Sequence, residues 1–130
     1  MPYQKITDKT SPQYQLINKS GLINVGEDGL LYSIDGYIGV ALGSKYGNIG
    51  DKFIIEFDNK RELKVIKLDE KADKDTINGC YHRSDNSMVE VLVNRETAAE
   101  TYPLAINVWG DFNYSDKFNG EITNVLKVVE

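Results

Sequence analysis

The chain holds one cysteine, Cys80, and one histidine, His82, in 130 residues. One thiol rules out an internal disulfide, and a single thiol with a single imidazole is too few for the usual tetrahedral zinc ligand sets. Packing must therefore hold the fold. Basic residues are in deficit, 15 against 20 acids, for a net charge of −5, which argues against a broad attraction to nucleic acid or to anionic lipid. No apolar run approaches the ~20 residues of a membrane helix. "MPYQKITDKTSPQYQ" contains no apolar core of a secretory leader, so a protein acting outside a cell is expected to leave by a route these residues do not encode. Nucleic acid and membrane are not expected as partners, and neither a cofactor nor a metal is expected.

Long helical periodicity is missing too. Only "RETAAET" reads as a helix of one or two turns, with Asn94 as its cap and Pro103 preventing its extension. What remains is a series of short strand-like runs separated by turn dipeptides. "LLYSI" and "YIGVA" flank Asp35-Gly36, and "FIIEF" and "ELKVIKL" flank "DNKR", which reads as two hairpins. Further strands are expected at Tyr14 to Ile17, Met88 to Val93, Leu104 to Trp109 and Glu121 to Val129. Several runs, notably "FIIEF" and "VLV", are apolar on both faces. In a chain too short for layers of helices, that pattern suits a small closed barrel whose strands are partly covered from outside. The expected fold is all-β, with one short helix, in a single domain: an N-terminal arm over residues 1–24 and the barrel over 25–130.

Gly36, Gly39, Gly43, Gly47 and Gly50 recur through "GYIGVALGSKYGNIGD". A phosphate loop needs Gly-x-x-x-x-Gly-Lys-Ser/Thr between a strand and a helix, and "GVALGSK" has neither the spacing nor the Lys-Ser order. These glycines are expected to let strands bend and cross closely.

The run "YIGVALGSKYGNIGDKFIIEF", followed by "ELKVIKLDEKAD" and "NSMVEVLVN", resembles the six-stranded double-psi β-barrel of bacterial cell-wall proteins, namely the rare lipoprotein A family and the three-aspartate domain of some lytic transglycosylases. In those families a Leu-Gly turn precedes a Gly-led strand, the next strand ends in a functional Asp, and a later apolar strand leads into a short helix. Here Leu42-Gly43, Gly50 with "KFIIEF", Asp69, and "VEVLVN" with "RETAAET" follow that order from Gly36 to about Thr101. The chain departs from the pattern in having Glu70-Lys71 after the Asp, and Glu90 where a later Asp stands. Over most of its length it is similar to domains of Gram-positive phage and mobile-element proteins associated with wall degradation. The resemblance implies an extracellular or virion-associated domain that binds peptidoglycan glycan strands and cleaves them in the manner of a lytic transglycosylase, with a phage tail or larger wall-degrading assembly as its implied partner. The alternative is a non-catalytic wall-binding or tail structural module with the same barrel.

Asp69 leaves the sheet at the end of "ELKVIKL", where partial burial would raise its pKa and let it donate a proton to a glycosidic oxygen near neutral pH. A transglycosylase can reuse that carboxylate as the base for the sugar's C6 hydroxyl. A hydrolase would need a second carboxylate at ~5 Å for retention or ~6.5–9.5 Å for inversion, with Asp73, Asp85 and Glu90 as candidates. Glu90 shares a strand face with Met88 and Leu92, and a salt bridge to Lys67 or Lys71 is an equally weighted role for it. His82, beside Tyr81, Arg83 and Asp85, is expected to support Asp69. The expected catalytic set is thus Asp69, His82 and Glu90; Tyr46, Lys71, Asp73, Tyr81 and Asp85 are expected to contact substrate. Cys80 and His82 alone do not make a thiol protease, which also needs an orienting partner and an oxyanion hole.

Overall fold

The computed structural model describes residues 2–58, 60–71, 76–77, 81–82, 89–101 and 122–129; at 76–77, 81–82, 99 and 101 the backbone alone is described. The described chain is predominantly β. Its strands are β1 (Ile23–Val25), β2 (Leu31–Ser33), β3 (Ile38–Gly43), β4 (Lys52–Phe57), β5 (Glu62–Lys71), β6 (Thr76–Ile77), β7 (Tyr81–His82), β8 (Glu90–Val91) and β9 (Ile122–Lys127). Two short helices, α1 (Pro12–Asn18) and α2 (Arg95–Thr101), and a 3-10 turn at Tyr3–Lys5 accompany them.

Seven strands form one sheet in the order β1-β2-β3-β5-β4-β9, with β8 also on β3, and β6 and β7 form a separate ribbon. Both expected hairpins are present: β2 pairs antiparallel with β3, and β4 with β5. After β3 the chain leaves one strand width open, runs back as β4, and returns as β5 into the gap. β3 and β5 are therefore parallel neighbours. The other edge of β3 is shared end to end by β2, at Ile38, and β8, at Val40 and Ala41.

All six residues of β3 are buried, because both faces of the sheet are covered there. Ile38, Val40 and Leu42 join Phe53, Ile55 and Val65 in one apolar cluster. Ala41 joins Ile66, Leu68, Leu92 and Ile17 of α1 in a second. A strand buried on both sides reads as continuously apolar, as "IGVALG" does. Gly39 lies on the second face, where a Cβ would stand 2.3 Å from Leu68 Cδ1. Its hydrogen is what leaves room for Leu68.

The strand expected at Tyr14 to Ile17 is a helix instead. Ser11 caps α1 by accepting the Tyr14 N–H at 3.1 Å, and Pro12 opens its first turn, the position where proline's missing N–H costs nothing. Residues spaced i, i+3, i+4 share a helix face. Gln13, Leu16 and Ile17 accordingly lie toward the sheet, with Leu16 and Ile17 packed on the second cluster. The segment before residue 25 is anchored to the sheet at three points: Tyr3 N donates to Val93 O at 2.9 Å, Ile17 is buried, and Ile23 begins β1.

α2 starts as expected, with Asn94 Oδ1 accepting the Thr97 N–H at 3.2 Å. The strand expected over Met88 to Val93 is realised as β8 and a bridge from Leu30 to Val93, Met88 lying outside the described residues. β9 occupies most of the expected Glu121 to Val129 strand. The strand expected at Leu104 to Trp109 lies outside the described residues.

Candidate carboxylate site

The site is set by one extra residue in β5. Val40 is in register with Lys67 and Ala41 with Asp69, so Leu68 is a β-bulge in the parallel β3–β5 ladder. A bulge re-aims the side chains that follow it. In a regular strand Asp69 would share a face with Lys67 and Val65; with the bulge it follows Leu68 onto the second face. Glu70 is correspondingly turned to the first face, where its Oε1 meets Lys67 Nζ at 2.7 Å.

Ala41 is flanked in register by Asp69 on β5 and by Glu90 on β8. Residues paired in register lie on the same face, so Asp69, Ala41 and Glu90 form a row across three strands. Two strand spacings separate the acids, about 9–10 Å between Cα atoms, and only the alanine methyl stands between them. Leu92, two residues from Glu90, belongs to the second cluster, while Val91 and Val93 belong to the first. Glu90 therefore has the strand face the alternation predicts.

Asp69 is half-buried. Its Oδ1 accepts a hydrogen bond from Gln13 Nε2 at 3.2 Å. Burial pushes its pKa above the ordinary carboxylate value. The negative charges of Glu90 and Glu70 push the same way, against hydrogen bonds from the Glu70 backbone and Gln13. Burial and like charge both disfavour ionisation, which is the environment of a carboxylic acid that retains its proton.

The other expected residues are distributed as follows. Lys71 ends β5 in register with Gly43 and is buried. Lys67, weighed as a partner for Glu90, is bound instead to Glu70 and to the carbonyls of Gly43 and Gly47, at 3.2 and 3.0 Å. Tyr46 packs against the first cluster, on the face away from Asp69. Tyr81 and His82 form β7, opposite Ile77 and Thr76 in the small ribbon. Asp73, Asp85 and Cys80 lie outside the described residues. Among the described residues no group of three His, Cys, Asp or Glu side chains is arranged to hold a metal ion.

Gln13 was not among the expected site residues. Its signal was Ser11-Pro12, a helix start that puts Gln13 on the same face as Leu16 and Ile17. The chain matches no known protein-family model, no curated protein and no solved structure.

Proposed function

We propose that this domain binds bacterial cell-wall glycan strands and cleaves their glycosidic bonds, with Asp69 as the proton donor. The observation that carries the reading is the row Asp69–Ala41–Glu90: a half-buried acid with a raised pKa, and a second carboxylate two strands away on the same face. Protonated Asp69 gives its proton to the glycosidic oxygen as the bond to the anomeric carbon breaks, leaving an oxocarbenium-like sugar. Two completions are open to the ionised carboxylate pair. Asp69 takes the proton of the sugar's C6 hydroxyl while that oxygen closes on the anomeric carbon, giving an anhydro end. Alternatively, a carboxylate activates or replaces water, giving a reducing end. A Cα separation of about 9–10 Å is compatible with the carboxyl spacings of hydrolases.

In this reading the seven-stranded sheet belongs to a double-psi barrel, and the parallel β3–β5 pair with β4 passing outside it is the feature that favours that architecture. The domain would act at the outer wall, as part of a phage or mobile-element wall-degrading assembly. A second reading, a non-catalytic wall-binding or tail module, is favoured by one observation: Asp69 already accepts hydrogen bonds from Gln13 and from the Glu70 backbone.

Digestion of purified Gram-positive sacculi with the unmodified, Asp69→Asn and Glu90→Gln proteins, followed by mass spectrometry of released muropeptides, separates these readings. Anhydro ends that survive Glu90→Gln mark a transglycosylase. Reducing ends lost with either substitution mark a two-carboxylate hydrolase. Sacculi that retain the protein but release nothing mark the binding module.

A further inference from the structure

We propose that Gln13 is a positioning residue for Asp69, and that α1 is thereby a working part of the site; the proposal rests on Asp69 acting as the proton donor in glycan cleavage. The N-terminal segment is far from Asp69 in sequence, yet the spacing of Gln13, Leu16 and Ile17 sets all three toward the sheet. Leu16 and Ile17 fix the helix through the second cluster, and the amide of Gln13 is carried to Asp69 Oδ1 at 3.2 Å. Ala41, Leu68 and Leu92 on that face are apolar or small, and its charged members are Glu90 in the row and Lys71, two residues on from Asp69 and in register with Gly43. α1 contributes no carboxylate and no amine, and its one titratable group is Tyr14. β3 carries no charge. On the flanking strands Lys71 on β5 and Glu90 on β8 lie on the face of Asp69, Glu70 and Lys67 are paired on the opposite face, and Glu62 and Lys64 stand at the far end of β5.

A primary amide suits this position for a specific reason. It offers two N–H donors on one side and a carbonyl acceptor on the other. Toward an ionised carboxylate Gln13 presents its N–H; turned over about its terminal torsion, it presents its carbonyl oxygen to the O–H of the protonated acid. A residue that first donates and then recovers a proton needs a partner that holds it in both states. A lysine would lock Asp69 ionised, and an apolar residue would leave the carboxyl unoriented.

The test reads the proton directly. The 13C carboxyl resonance of Asp69 is followed from acid to neutral pH in the unmodified protein, in Gln13→Met and in Gln13→Glu. Removing the donor favours the protonated form, so the Asp69 midpoint rises in Gln13→Met, and a second carboxylate makes it rise further in Gln13→Glu. In the unmodified protein the Gln13 side-chain amide protons shift through the same midpoint, and this response vanishes in Asp69→Asn. That second measurement stands even if a variant folds poorly. On sacculi, Gln13→Met lowers kcat about ten- to a hundredfold with KM little changed, as expected for loss of orientation rather than binding. An Asp69 midpoint identical in all three proteins, or Gln13 amide protons indifferent to it, overturns the proposal while leaving the cleavage reading intact. No wall cleavage by the unmodified protein overturns both.

Discussion

Replacing Lys67 by methionine removes a charge from the interior at nearly constant volume. Lys67 is fully buried, and its ammonium group is held by Gly43 O, Gly47 O and Glu70 Oε1. The cost follows from what each acceptor does afterwards. Gly43 O keeps the Tyr46 N–H at 3.0 Å. The Glu70 side chain is 44% exposed and returns to water. Gly47 O loses its ammonium donor, and since Gly47 is only half-buried the ~1–3 kcal/mol of a buried carbonyl without a partner is the upper range of the cost. Because Glu70 rehydrates, the loss stays below the ~3–5 kcal/mol of a buried pair broken on one side. Unfolding entropy of about 2.1 cal/mol/K per residue over 130 residues turns about 1–3 kcal/mol into a Tm lower by roughly 4–11 °C. Glu70→Gln, which leaves both carbonyl contacts, should cost less than about 1 kcal/mol. Thermal unfolding followed by circular dichroism at neutral pH measures both. A Lys67→Met protein as stable as the parent would mean that burying the ammonium costs as much as its three acceptors return, and would refute its role as the clamp joining the turn after β3 to the end of β5.

Four further substitutions, in two pairs, probe the fold and the site. Asp69 has a raised folded pKa, so the native state binds its proton more tightly than the unfolded chain. Its contribution to stability is present below the ordinary 3.8 and is lost as pH rises through the folded value. Asp51 is the opposite case. The Asn48 backbone N–H and Lys127 hold its carboxyl below the usual range, so its contribution is present above 3.8 and lost as pH falls through the folded value. Urea midpoints between pH 3 and 8 should therefore rise at neutral pH for Asp69→Asn and fall for Asp51→Asn; a shared sign would contradict the assignments. Gly29 has φ +84°, and a Cβ there would lie 2.2 Å from Ala98 N in α2, so Gly29→Ala should cost at least about 2 kcal/mol from strain and displacement of the helix. Gly21, at φ +75° with nothing within 4 Å, should cost only the strain, and equal losses of Tm at the two positions would refute the contact.

Much of the sheet was legible because its signals are local. Turn dipeptides placed both hairpins, and Asn94 announced the start of α2; of the runs read as apolar on both faces, "VLV" is buried throughout, whereas "FIIEF" alternates between buried and half-buried residues and it is β3 that is buried on both faces. α1 is not legible in "YQLI", whose four residues are too short a window to separate period 2 from period 3.6; its signal is the Ser11-Pro12 start. The site was half legible. Glu90 has the face that alternation gives it, but Asp69 does not leave the sheet after Leu68 as expected: β5 runs on to Lys71 because its pairing with β3 continues to Gly43, and Asp69 lies within the strand in register with Ala41. That the two share a row depends on the bulge at Leu68, which no periodicity announces, because a bulge is fixed by packing against Gly39 and by pairing with β3. The same bulge gives Lys67 to Glu70 rather than to Glu90. Gln13 reaches Asp69 across 56 positions of sequence, a contact that only the docking of α1 creates.

If Asp69 is the proton donor for cleavage of wall glycan, the rate of muropeptide release from Gram-positive sacculi depends on its carboxyl group. Release is expected from the unmodified protein and should fall at least about a hundredfold in Asp69→Asn, with the Asp69→Asn protein still folded and still retained on the sacculi. Equal release by the two proteins, or none by the unmodified protein across several wall types, would contradict that role for Asp69.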